Sequence, residues 1–140
     1  MGDFEKSVKQ RNGGLPMTPE TLLLRQINKV YVSGEQPAYL AFRPQTKDNF
    51  LLSVDNGDMI EAHESWKRFV SNPRCHSVGV LAVMCSECKN ENLPVIEDGQ
   101  PYSEHCSIDF FGLDRKTINS KSKILWDKAN TRGWLYRPLE

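Results

Sequence analysis

The chain has 140 residues, 39% of them apolar and 26% charged, and its 18 lysines and arginines balance its 18 aspartates and glutamates. This length and composition are typical of one globular domain with one hydrophobic core. A neutral chain has no overall field to attract nucleic acid or an anionic membrane, and the chain contains no run of about 20 apolar residues that would predict a membrane-spanning helix; a local basic patch remains possible.

The beginning of the chain predicts an arm and not a targeting signal. Residues 1–17 are polar and include three glycines and a proline, so we expect a flexible N-terminal arm, followed by a single domain over residues 18–140. The first ten residues contain no apolar stretch, which argues against a secretory signal. The four cysteines are therefore not expected to form disulfides, and a cytoplasmic location is the simplest expectation.

The first half of the domain is predicted to contain a short helix and three strands. Residues 18–20 (Thr-Pro-Glu) are typical of a helix start, and the leucines at 22–24 follow them. Residues 29–32 and 38–42 lie on either side of a glycine-containing turn and predict a hairpin. Residues 50–54 predict a third strand.

The second half is predicted to alternate helices and strands. A helix is expected over 61–70, and the segment 77–84 is apolar on both faces, which predicts a strand in the centre of the sheet. A short helix over 86–92, a strand over 105–111 and a long helix over 114–133 follow. The sequence thus predicts a single α+β domain, with a mixed, mostly antiparallel sheet of about five strands and three to four packed helices.

The cysteines raise the question of a metal site. Cys85 and Cys88 form a C-x-x-C pair, and Cys106 follows with His105 beside it, so that zinc binding by these four residues is possible. Adjacent strand residues point to opposite faces, however, so His105 and Cys106 cannot easily bind the same ion. A redox role for the C-x-x-C pair is a second possibility, and the favoured interpretation is thiols buried for structural reasons.

Five polar residues form the candidate catalytic set: Arg43, Lys47, Ser53, Asp58 and Glu61. An arginine on one strand, a serine on the next and a later glutamate are residue types that ADP-ribosyltransferases use. There the arginine would anchor a nucleotide phosphate and the glutamate would orient the attacking group. The alternative is a charged turn in water, with surface ion pairs worth about 0–1 kcal/mol each.

The C-terminal segment supplies the candidate binding residues. Arg132, Trp134, Tyr136 and Arg137 interleave cations with aromatic rings, a combination that can hold phosphates and stack bases. The favoured alternative is the solvent face of an amphipathic helix followed by core aromatics, with residues 134–136 adding an edge strand.

Two histidines are candidate acid–base groups. His63 is expected on the solvent face of its helix, and His105 shares a strand face with Asp109, four residues further on. A histidine–aspartate couple used in nucleophilic catalysis also needs a nucleophile, and the sequence singles none out.

Six short segments resemble a family of small uncharacterised bacterial proteins: Leu24-Arg25-Gln26, Ala41-Phe42-Arg43-Pro44, Lys47-Asp48, Leu52-Ser53-Val54, Gly57-Asp58 and Ser77-Val78-Gly79-Val80. The resemblance runs from about residue 22 to about residue 112. It implies a bacterial or phage-related cytoplasmic protein, and it brings no activity, cofactor or site residue with it.

Three functions therefore stand as hypotheses. The first is a non-enzymatic interaction or accessory module that works with a protein partner encoded by a neighbouring gene, with an exposed apolar patch around residues 134–136. The second is a small enzyme that acts on a nucleotide or nucleic acid, although nucleic acid is not the favoured partner. The third is a structural zinc domain. No membrane partner is expected, and the sequence leaves the oligomeric state open.

Overall fold

A computed structural model describes residues 16–33 and 36–138. The described strands are β1 Leu22–Gln26, β2 Val32–Ser33, β3 Gln36–Pro37, β4 Leu51–Asn56, β5 Val80–Met84, β6 Val95–Ile96 and β7 His105–Asp109. The α-helices are α1 Ala62–Val70, α2 Cys85–Asn90 and α3 Arg115–Arg132, and short 3-10 helices lie at Lys29–Tyr31, Tyr39–Phe42 and Thr46–Asp48. Most of the predicted N-terminal arm falls outside the described residues.

Five strands form one sheet in the order β5-β1-β4-β7-β6, while β2 and β3 form a separate small hairpin. Every strand pair in the five-stranded sheet is antiparallel. The predicted single-domain α+β fold, with about five strands and three to four helices, is confirmed. The mixed pairing is corrected: the described strands of this sheet include no parallel pair.

The first face of the sheet carries the main hydrophobic core. Leu23 of β1, Val83 of β5 and Ile108 of β7 are buried there against Leu125 of the long helix α3. This helix begins as predicted at Asp114, whose carboxylate accepts a hydrogen bond of 2.8 Å from the backbone amide of Thr117. The apolar stripe of α3 therefore covers the first face of the sheet and forms the main core with it.

The second face is divided into an apolar half and a polar half. Over β1 and β5, Leu24, Val80 and Ala82 pack against Trp66 of α1 and against Tyr136. Over β4 and β7 the same face carries serine, aspartate and histidine side chains, and α1 borders this half without filling it. The polar half contains the candidate site described below.

Strand β1 corrects the predicted first helix. The Thr18-Pro19 segment makes a turn in which the Thr21 amide donates to the Thr18 carbonyl, and Leu22–Gln26 then pairs with both β4 and β5. Leu23 faces the main core and Leu24 the second face, so alternate leucines are buried on opposite sides. Pairing with two neighbouring strands overrides the helix propensity of leucine.

Strand β5 is an edge strand and not the predicted central one. It is apolar on both faces because both faces are covered, while its outer edge is closed by the C-terminal segment: Val80 exchanges backbone hydrogen bonds with residues 135 and 136. Arg132 also donates to the carbonyl of Ala82 at 2.7 Å. Gly79 permits this closure, because a Cβ there would lie 2.7 Å from the Tyr136 carbonyl oxygen.

Two further differences concern short elements. The predicted hairpin over 29–42 is reduced to the two-residue strands β2 and β3, and most of its apolar residues lie in 3-10 helices. The segment 95–103, which was predicted as a loop, contributes β6, the second edge of the sheet. In both places the paired stretches are too short to produce an alternating sequence pattern.

Candidate functional site

A cleft of about 520 Å³ opens on the polar half of the second face. Residues of β1, β4 and β7 line it, together with residues of α1, of the segment 72–76 and of the pair 101–102. The charged side chains and histidines in its lining are Arg25, Asp55, Arg68, Arg74, His76 and His105. Three guanidinium groups thus accompany one carboxylate in the lining, while Glu104 and Asp98 pair with lining residues from outside it.

The β4–β7 register aligns the polar side chains of the second face. Ser53 lies opposite Ser107, and Asp55 lies opposite His105. All four point away from the core, because Val54 and Cys106, which alternate with them, are buried in it. Directly opposed residues have Cβ atoms about 4.5–5.5 Å apart, so the side chains of Asp55 and His105 leave the sheet from neighbouring positions.

A hydrogen-bonded chain connects β1, α1 and β4 across the cleft. Gln26 Nε2 donates to Ser65 Oγ at 2.9 Å, and Ser65 Oγ donates to Asp55 Oδ2 at 2.6 Å. Arg68 approaches the same carboxylate oxygen at 3.5 Å. Because the single hydroxyl proton of Ser65 goes to Asp55, Gln26 must donate to Ser65, which leaves its buried Oε1 without a hydrogen-bond partner.

Arg68 is the centre of the charged wall. Its NH1 group pairs with Glu104 Oε1, a carboxylate that is only 8% exposed and also accepts from Ser103 Oγ at 3.0 Å. The guanidinium lies 3.7 Å from the ring centroid of Tyr102. The arginine is thus fixed by an ion pair and by an aromatic ring while it still lines the cleft.

His105 is held by an aspartate that sequence reasoning did not identify. Its Nδ1 lies 2.6 Å from Asp98 Oδ1, and the other oxygen of Asp98 accepts from Ser107 Oγ at 2.6 Å. Partial burial alone would raise the pKa of Asp98, but the hydrogen bonds from His105 and Ser107 outweigh it and hold that pKa below its usual value. The predicted partner, Asp109, instead accepts from the backbone amide of Phe111.

Arg25 enters the cleft through a gap between two strands. β1 and β4 pair only at Leu23–Asn56 and Leu24–Asp55 and separate beyond that point. The guanidinium of Arg25 occupies the gap and donates to the carbonyls of Ala41 at 2.9 Å and Ser53 at 3.0 Å. Burial lowers the pKa of Arg25 to about 10, against the opposing effects of Tyr31 and Asp48, so the group is still charged at neutral pH.

The segment after α1 forms the rim of the cleft. Asn72 shapes it: its side-chain oxygen accepts from the Arg74 amide at 3.0 Å, and its carbonyl accepts from the Cys75 amide at 2.9 Å. This turn carries Arg74 and His76 past the end of the helix, and both side chains are exposed while lining the cleft. The rim thus adds one cation and one imidazole to the site.

The structure does not gather the five candidate catalytic residues in one place. Ser53 lines the cleft, whereas Arg43 lines a second hollow of about 380 Å³. Lys47 lies in a 3-10 helix, Asp58 accepts from Thr21 Oγ1 at 2.6 Å, and Glu61 is the N-cap residue of α1. Lys47, Asp58 and Glu61 line neither of the two hollows. Lys47 precedes β4 whereas the other two follow it, so the strand separates them.

The candidate binding residues at the C-terminus make structural contacts. Arg132 pairs with Glu87 at 2.7 Å, and Arg137 lies over the ring of Trp134. Tyr136 stacks on His63 with ring centroids 4.8 Å apart. Trp134 and Tyr136 are half-buried, so the predicted apolar patch of residues 134–136 is reduced to Leu135, which is 36% exposed.

The candidate metal ligands are also dispersed. His105 faces the cleft while Cys106 is buried in the core, as their adjacent strand positions require. Burial, aided by nearby negative groups, raises the pKa of the Cys85 thiol to about 11 and that of Cys88 to about 12, so both stay protonated. Within residues 16–33 and 36–138, no three His, Cys, Asp or Glu side chains come together in a group that could hold a metal ion.

Comparisons with known proteins do not identify a function, so the fold and the cleft are the basis for assigning one. Protein-family models, curated proteins and solved structures all yield no match to this chain. The resemblance to small bacterial proteins therefore stays a prediction. None of the helices described here has the length and apolar character needed to span a membrane.

Sequence reasoning found part of this cleft and missed the rest. Ser53 and His105 were both singled out from the sequence, and both line the cleft. Arg68, Asp98 and Tyr102 were missed because they lie on α1 and on the loop before β7. The sequence did place Arg68 on a predicted helix, six residues after Ala62. An arginine on a helix surface is too common, however, to predict a site.

Proposed function

We propose that the cleft binds a nucleotide or a short single-stranded stretch of nucleic acid. The observation that carries the proposal is the presence of three arginines and exposed aromatic rings in one cleft with a single carboxylate in its lining. Single-stranded nucleic acids are bound by this combination, in which cations follow the phosphates and aromatic side chains stack on the bases.

The three arginines of the cleft differ in whether an ion pair with a carboxylate already neutralises their charge. Arg68 is paired with Glu104 and lies near Asp55. Arg25 donates only to neutral backbone carbonyls, and Arg74 is exposed on the rim with no ion pair within the described part of the chain. Arg74 therefore supplies positive charge that a phosphate group can neutralise, whereas the charge of Arg25 is partly offset by nearby Asp48.

Two aromatic side chains at the mouth of the cleft suit the flat face of a base. Tyr102 is 47% exposed and Phe69 is 37% exposed, and both line the cleft. The guanidinium of Arg68 lies against the Tyr102 ring, which fixes its orientation. Exposed aromatic rings cost solvation free energy, so their presence beside three arginines favours a ligand with both rings and phosphates.

The volume of the cleft limits the size of the ligand. Pockets for small ligands commonly measure about 300–1,000 Å³, and the cleft of about 520 Å³ falls within that range. One or two nucleotides fill such a space, and a longer strand would have to leave over the rim at Arg74. The sequence predicted a function on a nucleotide or nucleic acid for five residues that the structure disperses. We keep that class of ligand and assign it to the cleft around His105.

Fluorescence anisotropy with labelled single-stranded oligonucleotides tests the proposal. We expect the full chain to bind a 12-residue RNA and the DNA of the same sequence, with an affinity that falls as salt is added. Arg74→Gln should weaken binding several-fold and reduce the salt dependence by about one phosphate contact. Tyr102→Leu should weaken binding about ten-fold through lost stacking.

The matched control is Arg115→Gln, which removes the same charge from the first turn of α3, outside the cleft lining. It should bind both oligonucleotides like the unmodified chain. Equal losses for Arg74→Gln and Arg115→Gln would show that only net charge matters and would remove the cleft from the interpretation. The absence of any binding at low salt would overturn the proposal.

The interaction module predicted from the sequence is a second proposal with less support. The exposed side chains of Val30 (78%) and Phe111 (70%) are the features in its favour. Isolated exposed apolar residues are common on monomeric proteins, however, and only a contiguous patch points to a partner. The cleft, with its charge and shape, is the stronger basis for a function.

A further inference from the structure

The binding proposal does not account for the pairing of His105 with Asp98 in the cleft. His105 needs no aspartate partner in order to contact a phosphate, yet both oxygens of Asp98 are committed, one to its ring and one to Ser107. The loop is tied to β7 as well, because the Gly99 amide donates to the His105 carbonyl at 3.0 Å. The loop that carries Asp98 is thus fixed to β7 through Ser107 and through the backbone, which holds the Asp98 carboxylate against the ring.

The orientation determines which ring nitrogen is basic. An ionised carboxylate can only accept, so the neutral imidazole carries its proton on Nδ1, toward Asp98. In that neutral form the remaining nitrogen, Nε2, is an acceptor, and it has no hydrogen-bond partner among the described residues. The ring lines the cleft. This is the arrangement of a general base that acts on a bound molecule.

A general base needs a group from which to take a proton. Ser107 donates to Asp98 and Ser65 to Asp55, so neither hydroxyl is available. Among the described residues, no hydrogen bond joins His105 to the exposed Ser53 hydroxyl or to a thiol. The geometry therefore favours a nucleophile that comes from the ligand or from water. RNA carries its own nucleophile, the ribose 2′-hydroxyl, next to each phosphodiester.

The other groups needed for that reaction line the same cleft. His76 on the rim is a second imidazole, which in its protonated form can donate to a leaving oxygen. Arg25 and Arg68 are cations that can stabilise the extra negative charge on the phosphorus oxygens in the transition state. A candidate acid, a candidate base and two cations thus line one cleft.

We propose that the cleft cleaves single-stranded RNA by internal transesterification, a proposal that rests on the binding function above. His105 Nε2 takes the proton of the 2′-hydroxyl, and the 2′-oxygen forms a bond to phosphorus as the bond from phosphorus to the 5′-oxygen breaks. His76 gives its proton to the departing 5′-oxygen. The products are a 2′,3′-cyclic phosphate and a 5′-hydroxyl, and no water, oxidant or further reactant is consumed.

The test uses the full chain and two oligonucleotides of one sequence, a 12-residue single-stranded RNA and its DNA counterpart, each with a fluorescent label. We expect both to bind and only the RNA to be cut, since DNA lacks the nucleophile. Mass spectrometry should find the cyclic phosphate on the new 3′ end. Cleavage of DNA at the same rate, or linear phosphate as the first product, would show that water attacks and would overturn the proposal.

Variants identify the base. His105→Gln should lower the cleavage rate by about 10²- to 10⁴-fold, a loss far larger than any change in its affinity for DNA. The matched control is His63→Gln, which removes an imidazole outside the cleft lining and should cut RNA normally. A His105→Gln chain that cuts at the unmodified rate would overturn the assignment and would identify a contaminating nuclease.

Asp98 is a positioning residue in this mechanism, and it gives a second route to the answer if His105→Gln does not fold. Asp98→Asn should lower kcat about ten-fold or more, with a much smaller change in KM for RNA and in affinity for DNA, because the His105 ring loses the carboxylate that orients it. A purely structural role would change affinity and kcat together. If the chain binds neither oligonucleotide, both proposals fail; if it binds DNA and leaves RNA intact, only the cleavage proposal fails.

Discussion

The two faces of the sheet use the same strands for different purposes. Along β4, Leu52 and Val54 are buried in the main core, whereas Ser53 and Asp55 alternate with them and line the cleft. β7 does the same, with His105 on the cleft side. The core face gains stability from apolar burial under α3, while the cleft face holds charged groups in fixed positions by hydrogen bonds and ion pairs.

This division predicts that substitutions on the two faces have different consequences. Truncation on the core face should lower the free energy of unfolding and leave the cleft chemistry of the folded molecules intact. Substitution on the cleft face should change binding strongly and stability only where a buried charge loses its partner. Four experiments test this contrast, beginning with the largest expected effect.

The largest loss of stability is expected for Leu125→Ala in α3. Leu125 is fully buried at the centre of the core, and its truncation should lower the free energy of unfolding by about 2–5 kcal/mol. Urea unfolding followed by circular dichroism measures this. Ser120→Ala, on the exposed side of the same helix, should stay within about 0.5 kcal/mol of the unmodified chain. A loss below about 1 kcal/mol for Leu125→Ala would mean that α3 does not pack as described.

On the cleft face, Arg68→Gln should have the largest effect on stability, about 1–3 kcal/mol. The change leaves the buried Glu104 carboxylate without its cation. Adding Glu104→Gln should restore part of the loss, since two neutral side chains remove the unpaired charge. Arg74→Gln, with no buried partner, should unfold like the unmodified chain. Equal unfolding curves for Arg68→Gln and Arg74→Gln would contradict the ion pair.

A smaller effect is expected in the pH dependence of stability. Because folding lowers the pKa of Asp98, its ionised form stabilises the fold above the unfolded-state value, close to the ordinary 3.8, and this contribution is lost as the pH falls through the folded-state value. Asp98→Asn should therefore flatten the acid side of the curve of unfolding free energy against pH. Ser107→Ala, which removes one of the hydrogen bonds, should flatten it less. Parallel curves for all three chains below pH 5 would contradict this expectation.

The smallest effect is expected in the reactivity of the thiols, which should differ between the two faces. Cys88 is buried with its pKa raised to about 12, whereas Cys75 lines the cleft and is half-buried. Iodoacetamide should label Cys75 first in the native chain and reach Cys88 only after unfolding. Bound oligonucleotide should slow the labelling of Cys75. Equal labelling rates for all cysteines, measured by mass spectrometry, would contradict the difference between the faces.

Local patterns account for what the sequence predicted correctly. Strand β4 could be recognised from its β-branched and leucine residues, α1 from the apolar spacing of Ala62 and Trp66, and the start of α3 from Asp114. Each of these signals acts over a few residues, through side-chain alternation, helical periodicity or a capping hydrogen bond. That is why the fold class and the opposite orientations of His105 and Cys106 could be predicted without a structure.

Tertiary structure alone decided where the elements meet. The leucine-rich segment of β1 forms an interior strand because β4 and β5 pair with it on either side. Strand β5 lies at the edge of the sheet, where the C-terminal segment covers its outer side. The Arg68–Glu104 pair joins residues 36 positions apart in sequence, and the Arg132–Ala82 bond joins residues 50 positions apart. Contacts at such separations leave no periodic trace in the chain, so the cleft around His105 became visible only when strand order and register brought its walls together.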